Sequence, residues 1–530
     1  MSNKIKVLCY SPYNAWELHG MWEITILHAL QLRGSEIKHV LCNGVFKACD
    51  MYWDATRPRH AMSCTECQAQ TSSLSARMGM PFEGLSKYIN TDEYQLSYDY
   101  IKKLGIAEYK TAKFGNWEIG EWVKASLHRH FRTDEIDLSD NRVIEVYANY
   151  IESALLAAHG LSRIIKEYNP DIMLLFNGSQ SSCRVALELA KEKNIDTYLH
   201  ERGFIHESIW LLKNQAFEFD SNRKYKEVWN KWKNIPLTQS ELVVITNYLD
   251  QIKNGMGQNW KSYSVNERLG GKNIRKLYNL NENEKIWSIF TSSTDEMASS
   301  DSKYIFDTQI DWIEETIRLA IKHNQKLFIR IHPNTGGKVS TGVNSGALIT
   351  FNKTIEKYIC YRNLIHFILP DDEVNSYDLM EITDIGITYG STVGLEMACM
   401  GKKVVVCTEA FYDNLSFVWT LRNKQKYEDL LLFATRLEDA METKRESLRF
   451  AYYYYYRASS IKFPYVKMPD PHNGILNYTT LDDLLPGKEK NLDRICNIIL
   501  NNEEIIPTSQ YSEEEIEKNK ILESKYLLNK

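Results

Sequence analysis

Apolar runs of five or six residues recur along the chain, each bounded by turn residues and followed by a segment with three- and four-residue apolar spacing. The first run is "IKVLCY" (5–10); a helical pattern from Glu17 to Arg33, closed by Gly34, leads to "IKHVLC" (37–42). After a helical, tyrosine-rich stretch at about 93–168 come "DIMLLF", the turn "NGSQ", the helix "SSCRVALELAKEKN" and the strand "IDTYLH". A second series begins with "IWSIF", near Ile286, then the helix "DWIEETIRLAIKHN" (311–324) and "KLFIRI". "NLIHFIL" (363–369), "DIGITY" (384–389) and "KKVVVC" (402–407) continue it. Strands apolar on both faces and alternating with helices predict parallel sheets. The expected fold class is α/β, with two Rossmann-like doubly wound domains facing across a cleft, a helical insertion and a helical C-terminal extension. The boundaries expected are 1–240 with the insertion at about 93–168, then 241–485, then a charged helical tail at 486–530. "RFAYYYYYRASS" (449–460) reads as a weakly amphipathic helix, and there is no internal repeat.

Composition narrows the function classes. A chain of 530 residues with 43% apolar content can bury more than one core, and a net charge of −5 gives no general attraction for nucleic acid. The basic cluster "KASLHRHFR" (124–132) reads as a solvated helix face. No uninterrupted apolar run approaches the roughly 18 residues of a membrane span. The expected compartment is the cytoplasm, with peripheral association at the inner face of the cell membrane left open.

Ligands of doubly wound folds bind outside the carboxyl ends of the strands, so the chemistry is sought there. "IWSIF" is followed by the hydroxyl-rich "TSSTDE", which contributes Thr291, Ser292 and Ser293. "KLFIRI" ends in Arg330, Ile331 and the turn His332-Pro333-Asn334. "NLIHFIL" runs into "PDDEVNSYDLM" with Tyr377, and "DIGITYG" into "STVGLEMACMGKK" with Ser391, Thr392 and Glu396. Ser391 stands where a helix N-cap is expected, whose N–H groups suit a phosphate; a plain cap is the competing reading. Gly390 and Gly394 would let a ligand or backbone approach closely. Glu396, a turn further on, suits ribose hydroxyls. His332 taken alone reads more often as a satisfied structural histidine.

In the N-terminal half, "SPYNAWELHGMWE" places His19 and Glu23 four apart on one helix face, a spacing that fits a histidine base oriented by a carboxylate or an ordinary surface contact. "HERG" (200–203) offers Glu201 as a second base, with Arg202 able to pair with a phosphate or with Glu201. Asn177-Gly178 ends the strand before it. Four of the ten cysteines cluster: Cys42, Cys49, Cys64 and Cys67. Only the last pair has zinc-knuckle spacing, and the set is weighed as a structural Zn²⁺ site against reduced thiols.

The stretch "RIHPN … LPDDEVNSYDLMEITDIGITYGSTVGLEMACMGKKVVV" resembles the C-terminal half of GT-B glycosyltransferases that build bacterial capsules and other surface polysaccharides. The likeness extends to "WELHGMWEITILHALQLRG", "LLFNGSQSSCRVALELAKEKNIDTYLHERG" and "FTSSTDE", spanning about residues 5–460. In related groups, including bacterial sialyltransferases and polyol-phosphate transferases, a His-Pro motif and a Ser-Ser/Thr motif hold the donor nucleotide; here these are His332-Pro333 and Ser391-Thr392. The resemblance implies a nucleotide-sugar donor held by Thr291, Ser292, Ser293, Arg330, His332, Pro333, Asn334, Tyr377, Ser391, Thr392 and Glu396. It also implies a glycan or glycolipid acceptor, no nucleic acid, and catalysis that requires no metal or other cofactor. "HERG" departs from the paired acids before glycine of the sialyltransferases, which leaves the base open between His19 and Glu201. The alternatives are a CDP-linked polyol-phosphate transferase, a non-hydrolysing sugar-nucleotide epimerase, and a silent scaffold of a polysaccharide assembly complex.

Overall fold

Leu8 and Tyr10 point to one side of the first strand and Val7 and Cys9 to the other, and all four are fully buried. That double burial is why the strand reads as a continuous apolar run. The computed structural model describes residues 4–528 except 13–15, 52–62, 132, 134, 218–221, 257–266, 294–297, 299–304, 334, 336–345, 438–440, 471–472 and 509–510.

The first unit is built on β1 (Lys6–Ser11), β2 (Glu36–Leu41), β3 (Glu83–Gly84), β4 (Ile172–Phe176), β5 (Asp196–Arg202) and β6 (Ser208–Lys213). Their order is β6-β5-β4-β1-β2-β3, with β1 to β5 mutually parallel and β6 antiparallel to β5. On one face, Leu8, Tyr10, Met173 and Leu175 pack with the helices Asn141–Tyr168 and Ser181–Glu192. On the other, Val7, Cys9, Ile172 and Leu174 pack with the helix Glu17–Leu32, where Trp22 is fully buried. That helix ends at Arg33 and Gly34, the glycine at φ 93°.

The second unit holds β7 (Ile286–Phe290), β8 (Lys326–Arg330), β9 (Ile365–Ile368), β10 (Ile385–Thr388), β11 (Lys403–Val406) and β12 (Trp419–Thr420). All pairings are parallel, in the order β12-β11-β10-β7-β8-β9. Renumbered from β7, this is 3-2-1-4-5-6, the doubly wound order of dinucleotide-binding folds. The protein is therefore an α/β chain with two Rossmann-like units.

The boundaries differ from those expected. The first unit comprises 1–131, 135–218 and 459–505; the second comprises 132–134, 219–458 and 506–530. Residues 459–505 return to the first unit: β13 (Ile461–Lys462) pairs antiparallel with β6, and the helix Lys490–Asn501 buries Leu492, Ile495, Cys496, Ile498 and Ile499 in its core. Residues 459–485 were expected in the second domain, and of the expected tail at 486–530 the helix Lys490–Asn501 is a core element of the first unit while 506–530 belong to the second. The tyrosine run also differs: the α-helix Met441–Tyr452 passes into a π-helix over Tyr453–Ala458, which buries Tyr453, Tyr454 and Tyr455. Among the described residues, no helix is long and apolar enough to cross a membrane.

Candidate functional site

In the first unit the strand order reverses between β1 and β4, the place where such folds open a crevice. Just past β4, Asn177 (φ 49°) and Gly178 (φ 84°) both lie in the left-handed region. A Cβ on Gly178 would stand 2.4 Å from Leu199 Cδ2, so the turn admits only glycine there. The tight turn aims Asn177 at the end of β5, where its Nδ2 donates to Glu201 Oε2 at 2.8 Å. The backbone N–H of Arg202 donates to Glu201 Oε1 at 2.9 Å, and the Arg202 guanidinium lies 3.5 Å from the same oxygen.

His19 Nε2 lies 3.6 Å from Glu201 Oε1, with the two side chains 8% and 13% exposed. The imidazole sits among Trp16, Trp22 and Phe176, the last with its ring centroid at 4.4 Å. The structure therefore brings the two candidate bases, His19 and Glu201, together with Asn177 and Arg202. It does not pair His19 with Glu23. Glu23 turns instead to His200, an inward-facing residue of β5, at 2.9 Å between Oε1 and Nε2. With Glu23 ionised, His200 Nε2 is the donor of this bond. The i,i+4 spacing correctly put both residues on one helix face, but the sheet beneath supplied a better-placed partner for each.

His200 was missed in the sequence, as was His39, whose Nε2 meets Ser11 Oγ at 3.1 Å. His39 alternates with Ile37 and His200 with Tyr198, both of which pack in the core, and that alternation is the signal that could have found them.

In the second unit the order reverses between β7 and β10, and β8 lies on the far side of β7. Register places Phe290 beside both Arg330 and Thr388, so the loops after the three strands start level with one another. Thr291, Ser292 and Ser293 follow β7, His332 and Pro333 follow β8, and Ser391 and Thr392 follow β10. Thr291 Oγ1 accepts from the His332 backbone N–H at 2.7 Å, which fixes the start of the His-Pro turn. Asn334 lies outside the described residues.

Several expected donor contacts are otherwise engaged. The Ser292 backbone exchanges two hydrogen bonds with the Gln309 side chain, at 2.7 and 3.2 Å, and its hydroxyl donates to the Tyr389 carbonyl. Arg330 is buried and donates to the Leu369 carbonyl and, at 3.3 Å, to Ser376 Oγ, so it ties β8 to the end of β9. Burial holds its guanidinium below the usual value. The N-cap is Thr392 rather than Ser391, although Ser391 Oγ does accept from Val393 N at 3.4 Å. Gly394 does not make room for a ligand: a Cβ there would stand 2.1 Å from Tyr412 Oη, which itself donates to the Ser391 carbonyl.

Tyr377 and Glu396 pair with each other, Oη donating to Oε2 at 2.8 Å. Burial pushes the Glu396 carboxyl above its ordinary range and the Tyr377 phenol well above its own. Both line a cavity of about 300 Å³ within the second unit, beside Lys253 and Lys444.

The four clustered cysteines do not assemble. Among the described residues, no three of them bring their sulfurs within 4.8 Å of one another. Cys49 and Cys67 pack against Met51, Phe176 and Cys183, while Cys64 Sγ accepts from Gln68 Nε2 at 3.4 Å.

No protein-family model matches this chain, and no curated protein matches its sequence. Solved structures do. The β-Kdo 2,4-transferase KpsC of Thermosulfurimonas dismutans is 14% identical with a TM-score of 0.35, over 60% of this chain and 87% of that one. A glycosyltransferase from Rickettsia africae ESF-5 is 10% identical with a TM-score of 0.31, over 94% and 100%. The UDP-GlcNAc 2-epimerase of Neisseria meningitidis, bound to UDP-GlcNAc, is 13% identical with a TM-score of 0.28, over 86% and 97%.

Proposed function

We propose that the protein is a nucleotide-sugar-dependent glycosyltransferase that moves a sugar to a hydroxyl of a surface glycan. The observation that carries this reading is the His19–Glu201 contact at the carboxyl end of a Rossmann-like sheet, with Glu201 held by Asn177 and the Arg202 N–H. Glu201 already accepts two hydrogen bonds, which makes His19 the better-placed proton acceptor. In this reading His19 takes the proton of the acceptor hydroxyl as its oxygen attacks the anomeric carbon, and Glu201 stabilises the imidazolium that forms. The bond from the anomeric carbon to the phosphate oxygen breaks, and the nucleotide leaves with the electron pair. In the second unit, His332 and the backbone N–H groups of the loop after β10 are the groups this reading assigns to the charge that develops on the phosphate. The scheme calls on no metal ion.

A thermal-shift screen against UDP-, GDP-, CMP- and CDP-linked donors is expected to find one class that raises the melting temperature. Incubation of that donor with glycan acceptors should then release free nucleotide and lengthen the acceptor. A donor that is epimerised without any acceptor would overturn this reading in favour of an epimerase. Transfer of a polyol phosphate from a CDP-linked donor would overturn it in favour of the other transferase class.

A further inference from the structure

Beneath the His19–Glu201 pair, the first unit carries a second cluster that this function does not use. Cys9 on β1 and His39 on β2 are register partners in the parallel ladder and so point to the same face of the sheet. Glu23 comes down onto that face from the helix Glu17–Leu32. A sulfur of Cys9, a ring nitrogen of His39 and a carboxylate oxygen of Glu23 lie within 4.8 Å of one another, with all three residues buried.

We propose that Cys9, His39 and Glu23 bind a divalent transition-metal ion, Zn²⁺ by donor set. Thiolate, imidazole and carboxylate are the three side-chain donors that Zn²⁺ takes, whereas Mg²⁺ and Ca²⁺ would require oxygen. Metal–ligand distances of about 2.0–2.3 Å put tetrahedral ligands roughly 3.3–3.8 Å apart, so small rotamer changes bring these three side chains into three of the four positions of a zinc shell.

A second observation points the same way. His39 is only 3% exposed, and its Nδ1 is buried without a hydrogen-bond partner among the described residues, while Nε2 is held by Ser11 Oγ at 3.1 Å. A buried imidazole nitrogen left without a proton partner is costly. A ligating histidine whose other nitrogen donates to a neighbouring oxygen is the arrangement that relieves this cost. Glu23 is supported in the same manner, its Oε1 accepting from His200 at 2.9 Å. The His200 ring lies 5.6 Å from that of His19, so a metal on Glu23 would fix the layer on which the candidate base rests. The ion would be structural, because its ligands are out of contact with solvent.

The test is metal analysis of the full chain purified without chelator, followed by Co²⁺ substitution. About one equivalent of zinc is expected, together with a thiolate-to-cobalt charge-transfer band in the near ultraviolet after exchange. Cys9→Ser should abolish that band and His39→Ala should lower the metal content several-fold. The double variant Cys64→Ser/Cys67→Ser should keep both, which separates this site from the cysteine cluster. Strong chelation of the wild-type protein should lower its melting temperature, a readout that does not depend on any variant folding. Wild-type protein that holds no zinc and takes up no Co²⁺ would overturn the proposal. So would a Cys9→Ser variant that retains the charge-transfer band, or a Cys64→Ser/Cys67→Ser variant that loses it.

Discussion

Glu23 accepts a hydrogen bond from His200 at 2.9 Å where water scarcely reaches, the imidazole fully buried and the carboxylate 2% exposed. His19, one turn earlier on the same helix, meets Glu201 at 3.6 Å. One helix face thus serves two histidine–carboxylate pairs, a deep one and a shallower one at the strand ends. Both residues of the deep pair are buried, whereas the shallow pair lies at the strand ends beside Asn177 and Arg202.

The deep pair should therefore matter for stability. Removing one partner leaves the other buried without compensation, at a cost of about 3–5 kcal/mol. Glu23→Leu and His200→Ala are each expected to lower the urea midpoint by an amount of this order. A double variant in which both positions become apolar should recover part of the loss.

The shallow pair should matter for turnover. His19→Ala is expected to reduce single-turnover transfer about 10²–10⁴-fold with donor affinity nearly unchanged. Glu201→Gln keeps the hydrogen-bonding shape but removes the charge beside the imidazolium, and should show a smaller loss. If Glu201→Gln proves the more damaging, the carboxylate is the base and His19 its partner.

Donor binding should depend on the second unit. His332→Ala and Ser391→Ala are each expected to weaken nucleotide binding by about 1.5–3 kcal/mol if a charge-assisted hydrogen bond is lost. Thr291→Val removes the acceptor that holds the His332 N–H and should weaken binding without removing any ligand group. Isothermal calorimetry with the cognate nucleotide reads all three.

Acid should destabilise the second unit through His366. Burial, helped by the nearby Lys326 charge, brings its imidazole from the ordinary value of 6.5 down to about 4. Across that window the unfolded chain binds a proton that the folded chain refuses, so stability falls as pH drops from 6.5 towards 4. The ring stacks on Phe328 with centroids 4.6 Å apart, so His366→Phe preserves the packing. Urea unfolding of this variant should show a shallower decline over that pH range than the wild type.

The sheets were legible because burial on both faces makes β1, β4, β7, β8, β10 and β11 continuous apolar runs. Strand-end loops follow from there, and that route singles out Asn177, Glu201, His332 and Ser391 as candidates. Partner choice was not legible. Helical spacing places His19 and Glu23 side by side but is silent on what the sheet below presents to each. The same holds for Arg330 and Glu396, polar residues near strand ends that the fold uses for internal ties to Leu369, Ser376 and Tyr377. The helix Lys490–Asn501 carries a clear 3.6-residue apolar stripe, yet nothing local says that its core is the one begun at residue 6.

That return has a consequence for how the molecule is made. Almost the whole of the second unit lies between two pieces of the first, and its last helix, Glu513–Leu528, comes after both. During synthesis the first unit waits for Ile461 to pair with Ile209 and for Leu492 and Ile495 to enter its core, long after β1 has left the ribosome. A fragment cut near residue 240 would expose the apolar face that these residues cover. Neither unit is a portable module, and the gene can be divided cleanly only where the chain itself does not cross back.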